Sequence, residues 1–257
     1  MKNAKTLIYD GSFNGFLTAI FKAFEEKMIV SDIQKESKGQ EGLFSETEVV
    51  FTQIDLAKRV WTGIGKKSNL AIKNVYFAFL SESKGIELLL YRYVRKLFAG
   101  LNVAEPRHDE DLIFKVGQLA HMVAREKRRT ETSLRFQLTQ DQVYFAAVDP
   151  DFNILPLISK HFRSRYTDKP WIIYDTKRKY GLYYNLDGVE LVSLNLHEVY
   201  AGRIIKGDRF LQETSSDQEM WDNYFKEVPI ISLLNKKLLT TRSTRRNLGY
   251  SREKTAV

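Results

Sequence analysis

Apolar positions follow a helical spacing through the first half of the chain and a strand-like alternation after it. Phe13, Phe16, Leu17, Ile20, Phe21 and Phe24 fall at i, i+3, i+4, i+7, i+8 and i+11, which predicts an amphipathic helix with an aromatic stripe toward the core. Before it, Thr6-Leu7-Ile8-Tyr9 reads as a short strand. Asp10-Gly11-Ser12 then reads as a turn in which Ser12 or Asp10 caps the helix. The polar run from Ser31 to Gly42 reads as a surface loop, and Val49-Val50-Phe51 as another strand. From Asp55 to Ala99 the helical pattern returns in three pieces, broken near Gly65 and between Ser81 and Gly85, and a further helix runs from Asp109 to Arg129.

The period then changes to two. Leu134 to Leu138 and Val143 to Val148 flank Thr139-Gln140-Asp141-Gln142 and predict a hairpin. A helix follows over 154–165, then short strands at 171–174, 181–184 and 189–194, and a helix from Asp217 to Val228. Helices first, with strands later on hairpin-length links, predict an α+β fold: a mainly antiparallel sheet with helices packed on it, and not a βαβ array. The expected organisation is a single domain over 1–228 and a basic tail over 229–257.

Composition narrows the chemistry. The chain has 257 residues, 43% of them hydrophobic and 12% aromatic, which is too apolar for a disordered chain. Forty Lys and Arg against 32 Asp and Glu give a net charge of +8, which favours anionic partners and nucleic acid first. There is no cysteine, so disulfides, thiol nucleophiles, zinc–thiolate sites and iron–sulfur ligation by this chain are excluded. The short apolar run after Met1-Lys2-Asn3-Ala4-Lys5 is no signal peptide, and no stretch is long enough to span a membrane; the expected location is cytoplasmic.

Catalytic motifs are sparse. Gly63-Ile64-Gly65-Lys66-Lys67-Ser68 departs from a phosphate loop at Val60 and Lys67, where glycine and a hydroxyl are needed. His108, His121, His161 and His197 never stand at metal-ligand spacing, and no metal or cofactor is expected. Asp109-Glu110-Asp111 suits a helix N-terminus, and Asp149-Pro150-Asp151 suits a turn. If the chain is an enzyme acting on DNA, its polar candidates are Asp10, Asp149, Asp151, His161 and Asp175.

Basic segments bearing aromatics are the stronger signal. On the helix through 112–129, Leu112, Val116, Leu119, Ala120 and Val123 share the apolar face, while Gln118, His121, Arg125, Arg128 and Arg129 project from the other. Lys160-His161-Phe162-Arg163-Ser164-Arg165-Tyr166 closes one helix, Lys177-Arg178-Lys179-Tyr180 turns between strands, and the tail carries Lys236, Lys237, Arg242, Arg245, Arg246 and Arg252. The expected phosphate contacts are Arg125, Arg128, Arg129, Arg135, Arg163, Arg165, Lys177, Arg178 and Lys179, with Phe162 or Tyr180 stacking on an unpaired base.

Several segments also resemble a known family. Thr6 through Leu17 is similar to its N-terminal signature. Leu134-Arg135-Phe136-Gln137 and Asp149 through Ile158, continuing to His161-Phe162, are similar to its central block. Trp171 through Tyr184 resembles a third block and Trp221 through Phe225 a fourth. The family is a bacterial one assigned to DNA metabolism or DNA repair and encoded beside a radical-SAM protein, with a related domain fused to iron–sulfur uracil-DNA glycosylases. The resemblance implies a DNA-binding accessory factor, or an adaptor for the radical-SAM partner, and leaves any iron–sulfur cluster with that partner. It brings no catalytic residues with it. The chain departs from the family pattern at Arg128, where histidine is usual, at Leu233, where arginine precedes Asn235, and at Ser243 through Leu248, where Asn247-Leu248 replace the closing aromatics.

Overall fold

A computed structural model describes residues 4–36, 46–100, 106–139, 141–194 and 234–235, with the backbone alone for 106–110 and 234–235. The chain divides into two compact units, Met1–Glu126 and Lys127–Val257.

In the first unit β1 (Lys5–Tyr9) lies between β2 (Val30–Lys35) and β3 (Glu46–Val49), parallel to both. Helix α1 (Phe13–Glu25) makes the crossover from β1 to β2, as a parallel pair requires. Ser12 is its N-cap, accepting from the Gly15 N–H at 2.9 Å. The aromatic stripe reaches the core as its spacing predicts: the Phe13 ring meets Trp61, Tyr76 and Phe79 edge-on at 5.0–5.4 Å. The helical stretch resolves into α2 (Ile54–Lys67), α3 (Asn69–Phe79) and α4 (Ile86–Ala99). The first break falls at Ser68, which caps α3 through the Ala71 N–H. Gly63 and Gly65 are therefore inside α2 and cradle no phosphate; a Cβ at Gly63 would stand 2.9 Å from the Phe98 ring.

Helix α5 (Pro106–Ser133) is longer than its apolar pattern predicts. Val116, Ala120 and Val123 are buried, with Leu112 and Leu119 half-buried beside them. The second unit carries β4 (Gln137–Leu138), β5 (Tyr144–Val148), α6 (Leu155–Arg165), β6 (Trp171–Asp175), β7 (Tyr180–Tyr184), β8 (Val189–Leu194) and β9 (Leu234–Asn235), in the order β4-β5-β6-β7-β8-β9. Its core is the α6 face Leu155, Ile158 and Phe162 against Trp171, Ile173, Leu182 and Tyr184.

The α+β class is as expected, but the sheets are not mainly antiparallel. The first is parallel throughout, and β5 and β6 are a parallel pair joined through α6. Short links correctly mark β6–β7–β8 as antiparallel; α1 and α6 are crossovers, which link length alone does not show. The expected loop from Ser31 is strand β2 through Lys35. Only Ile33 in it is fully buried, so its sequence carries almost no apolar signal. The expected 134–138 strand shrinks to two residues because α5 continues to Ser133. The expected helix at 217–228 lies outside the described residues, as does the expected basic tail apart from Leu234–Asn235, which form β9 beside β8. Among the described residues no helix is long and apolar enough to cross a membrane.

Candidate nucleic-acid interface

The N-terminal ends of β5 and β6, in the second unit, carry a row of rings with a cation at each end. Helix α5 ends at Ser133, and the Arg135 guanidinium closes it by donating to the Thr132 and Leu134 carbonyls, each at 3.1 Å. Phe136 follows, with its ring 5.2 Å from Tyr166 and 6.5 Å from Tyr144. Tyr166 ends α6, its N–H bonded to the Phe162 carbonyl, and the Arg165 guanidinium stands 5.9 Å from its ring. At the far end the Lys169 ammonium lies 5.0 Å from the Tyr144 ring. A hydrogen bond with the Tyr144 hydroxyl is the main cause holding the Lys169 pKa above its ordinary value. Arg135, Arg165 and Lys169 are exposed, and Phe136, Tyr144 and Tyr166 are half-buried.

The row sits in the core's outer layer, since Phe136 also packs on Phe162 and Trp171. The rings are therefore fixed from below and keep part of their surface in water. Cations flanking held, partly exposed rings are the elements of a single-strand binding surface: phosphates meet the cations and bases stack on the rings.

Other expected contacts fall in different places. Arg128 and Arg129 are exposed on the last turns of α5, with Arg125 one turn earlier on the same helix. Arg163 is exposed on α6 and reaches the Asp187 carbonyl at 3.4 Å. Phe162 is 2% exposed in the core and stacks on Tyr166, so its ring has no face left for a base. Lys177, Arg178, Lys179 and Tyr180 lie beyond the opposite end of β6, about 13 Å along the strand from Trp171. The structure thus separates the 177–180 turn from the ring row.

That turn is built around Asp175, which is fully buried. The Arg178 N–H donates to Asp175 Oδ1 at 2.8 Å and its Nη1 to Oδ2 at 3.0 Å. The guanidinium also donates to the Pro150 and Asp151 carbonyls, at 3.0 and 2.9 Å. Lys177 pairs with Asp151 at 3.6 Å, and the Tyr180 hydroxyl donates to Asn153. Arg178 and Asp175 together tie the Asp149-Pro150-Asp151 loop to the sheet. Asp149 is exposed, His161 stands 3.9 Å from Glu131, and Asp10 lies in the other unit at the C-terminal end of β1. Asp10 accepts from the Ser12 N–H and hydroxyl at 2.9 and 2.7 Å and from the Thr52 hydroxyl at 2.8 Å. Among the described residues no three His, Asp or Glu side chains are grouped to hold a metal.

A family model, described as a domain of unknown function, DUF4130, matches residues 84–248, more than half of the chain. The chain belongs to the DUF4130 family. No curated protein matches it. The DUF4130 match takes in every residue of the ring row and the Asp175–Arg178 turn, whereas Asp10, Ser12 and Thr52 precede it. The contacts expected from sequence include Arg135 and Arg165; Phe136 and Tyr166 stand in the segments singled out but have no assigned contact, and Tyr144 and Lys169 are missed. One signal was available: Arg135-Phe136 and Arg165-Tyr166 are both arginine–aromatic pairs at the ends of helices.

Proposed function

We propose that this chain is a nucleic-acid-binding accessory protein in DNA repair or modification, acting beside a radical-SAM enzyme. The ring row bounded by Arg165 and Lys169 carries the reading, because it offers phosphate contacts and stacking faces together. The resemblance to the DNA-metabolism family supports DNA as the polymer and the radical-SAM protein as partner. Half-exposed rings favour single-stranded or locally opened DNA, since duplex bases present no faces to them.

Binding of a labelled oligonucleotide, followed by fluorescence anisotropy, tests the reading. Single-stranded DNA is expected to bind more tightly than the matching duplex. Arg165→Ala with Lys169→Ala should weaken single-strand binding at least about tenfold at low salt, with the melting temperature held. Equal affinity of the double variant and the parent chain overturns the assignment of the surface.

A further inference from the structure

The first unit holds a cleft of about 560 Å³ between α4 and the early turns of α5, a size suited to a small molecule. Arg92, Arg95 and Lys96 of α4 stand at i, i+3 and i+4 on one helix face, and Lys115 of α5 lines the same cleft. Its apolar lining comes from Val30, Leu89 and Leu112, with Tyr91 buried behind them. Among the described residues no side chain hydrogen-bonds to or pairs with Arg92, Arg95 or Lys115, and Asp111, the lining carboxylate, makes no ion pair with them. Like charges one helical turn apart repel, so α4 carries a small destabilisation that a bound anion would relieve.

We propose that this cleft binds a nucleotide, its phosphate held by Arg92, Arg95 and Lys115 and its base against the half-buried Val30, Leu89 and Leu112 side chains. Arginine forks match phosphate oxygens in pairs, and two of them one turn apart can hold a single phosphate group. A concave cationic rim over an apolar wall selects a compact ligand with an anionic head and a flat body. The nucleotide can be free or the phosphorylated end of a strand. The site is separate from the ring row of the second unit and does not depend on it.

Calorimetric titration of the full chain with ATP, and with a 5′-phosphorylated tetranucleotide beside its 5′-hydroxyl counterpart, tests the proposal. The protein carries Arg165→Ala and Lys169→Ala throughout, so that binding at the ring row is weakened in every arm alike. Binding of ATP identifies a free nucleotide; preference for the 5′-phosphate identifies a strand end; either supports the site. Arg92→Gln with Arg95→Gln should then weaken binding about tenfold or more, as should Lys115→Gln from the other helix. Lys66→Gln with Lys67→Gln, exposed on α2, removes the same charge elsewhere and should change affinity less than about twofold. No binding of either probe tighter than about 1 mM overturns the proposal, as does equal weakening by the α2 control.

Discussion

Buried Asp175 depends on one arginine for most of its compensation. Arg178 gives it a main-chain N–H and a guanidinium N–H, and the same guanidinium reaches two carbonyls of the 149–151 loop. Arg178→Ala leaves a fully buried carboxylate with the main-chain donor alone, so urea denaturation should show a loss of about 3 kcal/mol or more. A loss below about 1 kcal/mol would mean that Asp175 is satisfied in some other way. A close approach sets a second residue. A Cβ at Gly15 would stand 2.2 Å from Asp10 Oδ1 and 2.7 Å from Thr52 Oγ1, and Asp10 is held there by three hydrogen bonds. Gly15→Ala should cost about 1–3 kcal/mol, and Asp10→Ala in the same chain should recover part of it. Strictly additive costs in that double-mutant cycle would contradict the contact.

Elements were legible where their apolar pattern was strong. The stripe from Phe13 to Phe24, the three helices after Asp55 and the antiparallel run β6–β7–β8 follow from spacing and turn chemistry. Strand β2 was hidden because one fully buried residue, Ile33, specifies it. The ring row was half hidden, because Tyr144 and Lys169 meet only when β5 pairs with β6 in parallel register, Tyr144 opposite Trp171. Edge strand β3 is tied down by charge: Glu48 accepts from Lys5 of β1 at 3.0 Å and pairs with Lys22 of α1. Lys22 first and then Lys5, by hydrogen bonding, hold the Glu48 carboxyl below its usual 4.5. A depressed folded pKa means stability that is present above the unfolded value and lost as pH falls through the folded one. The stability advantage of the parent over Glu48→Gln should therefore be level above about pH 5.5 and shrink as pH falls below 4.5. An advantage that persists unchanged to pH 3 would contradict the pairing.

Across the whole molecule the net charge of +8 invites polyanions, yet charge alone does not make a site. The turn at Lys177-Arg178-Lys179 shows why: Arg178 is taken up by Asp175 and the 149–151 loop, and Lys177 pairs with Asp151. Arg165 and Lys169 differ because each flanks a ring that the core holds in place. A surface that only attracts phosphate loses affinity in proportion to the charge removed from anywhere on it. A surface that positions a strand loses it at particular residues. The direct measurement is the slope of log affinity against log salt for single-stranded DNA, in the parent chain and in Arg165→Ala with Lys169→Ala. Two lost phosphate contacts should flatten the slope by about 1.4. An unchanged slope would contradict the claim that this end of the second sheet holds the strand.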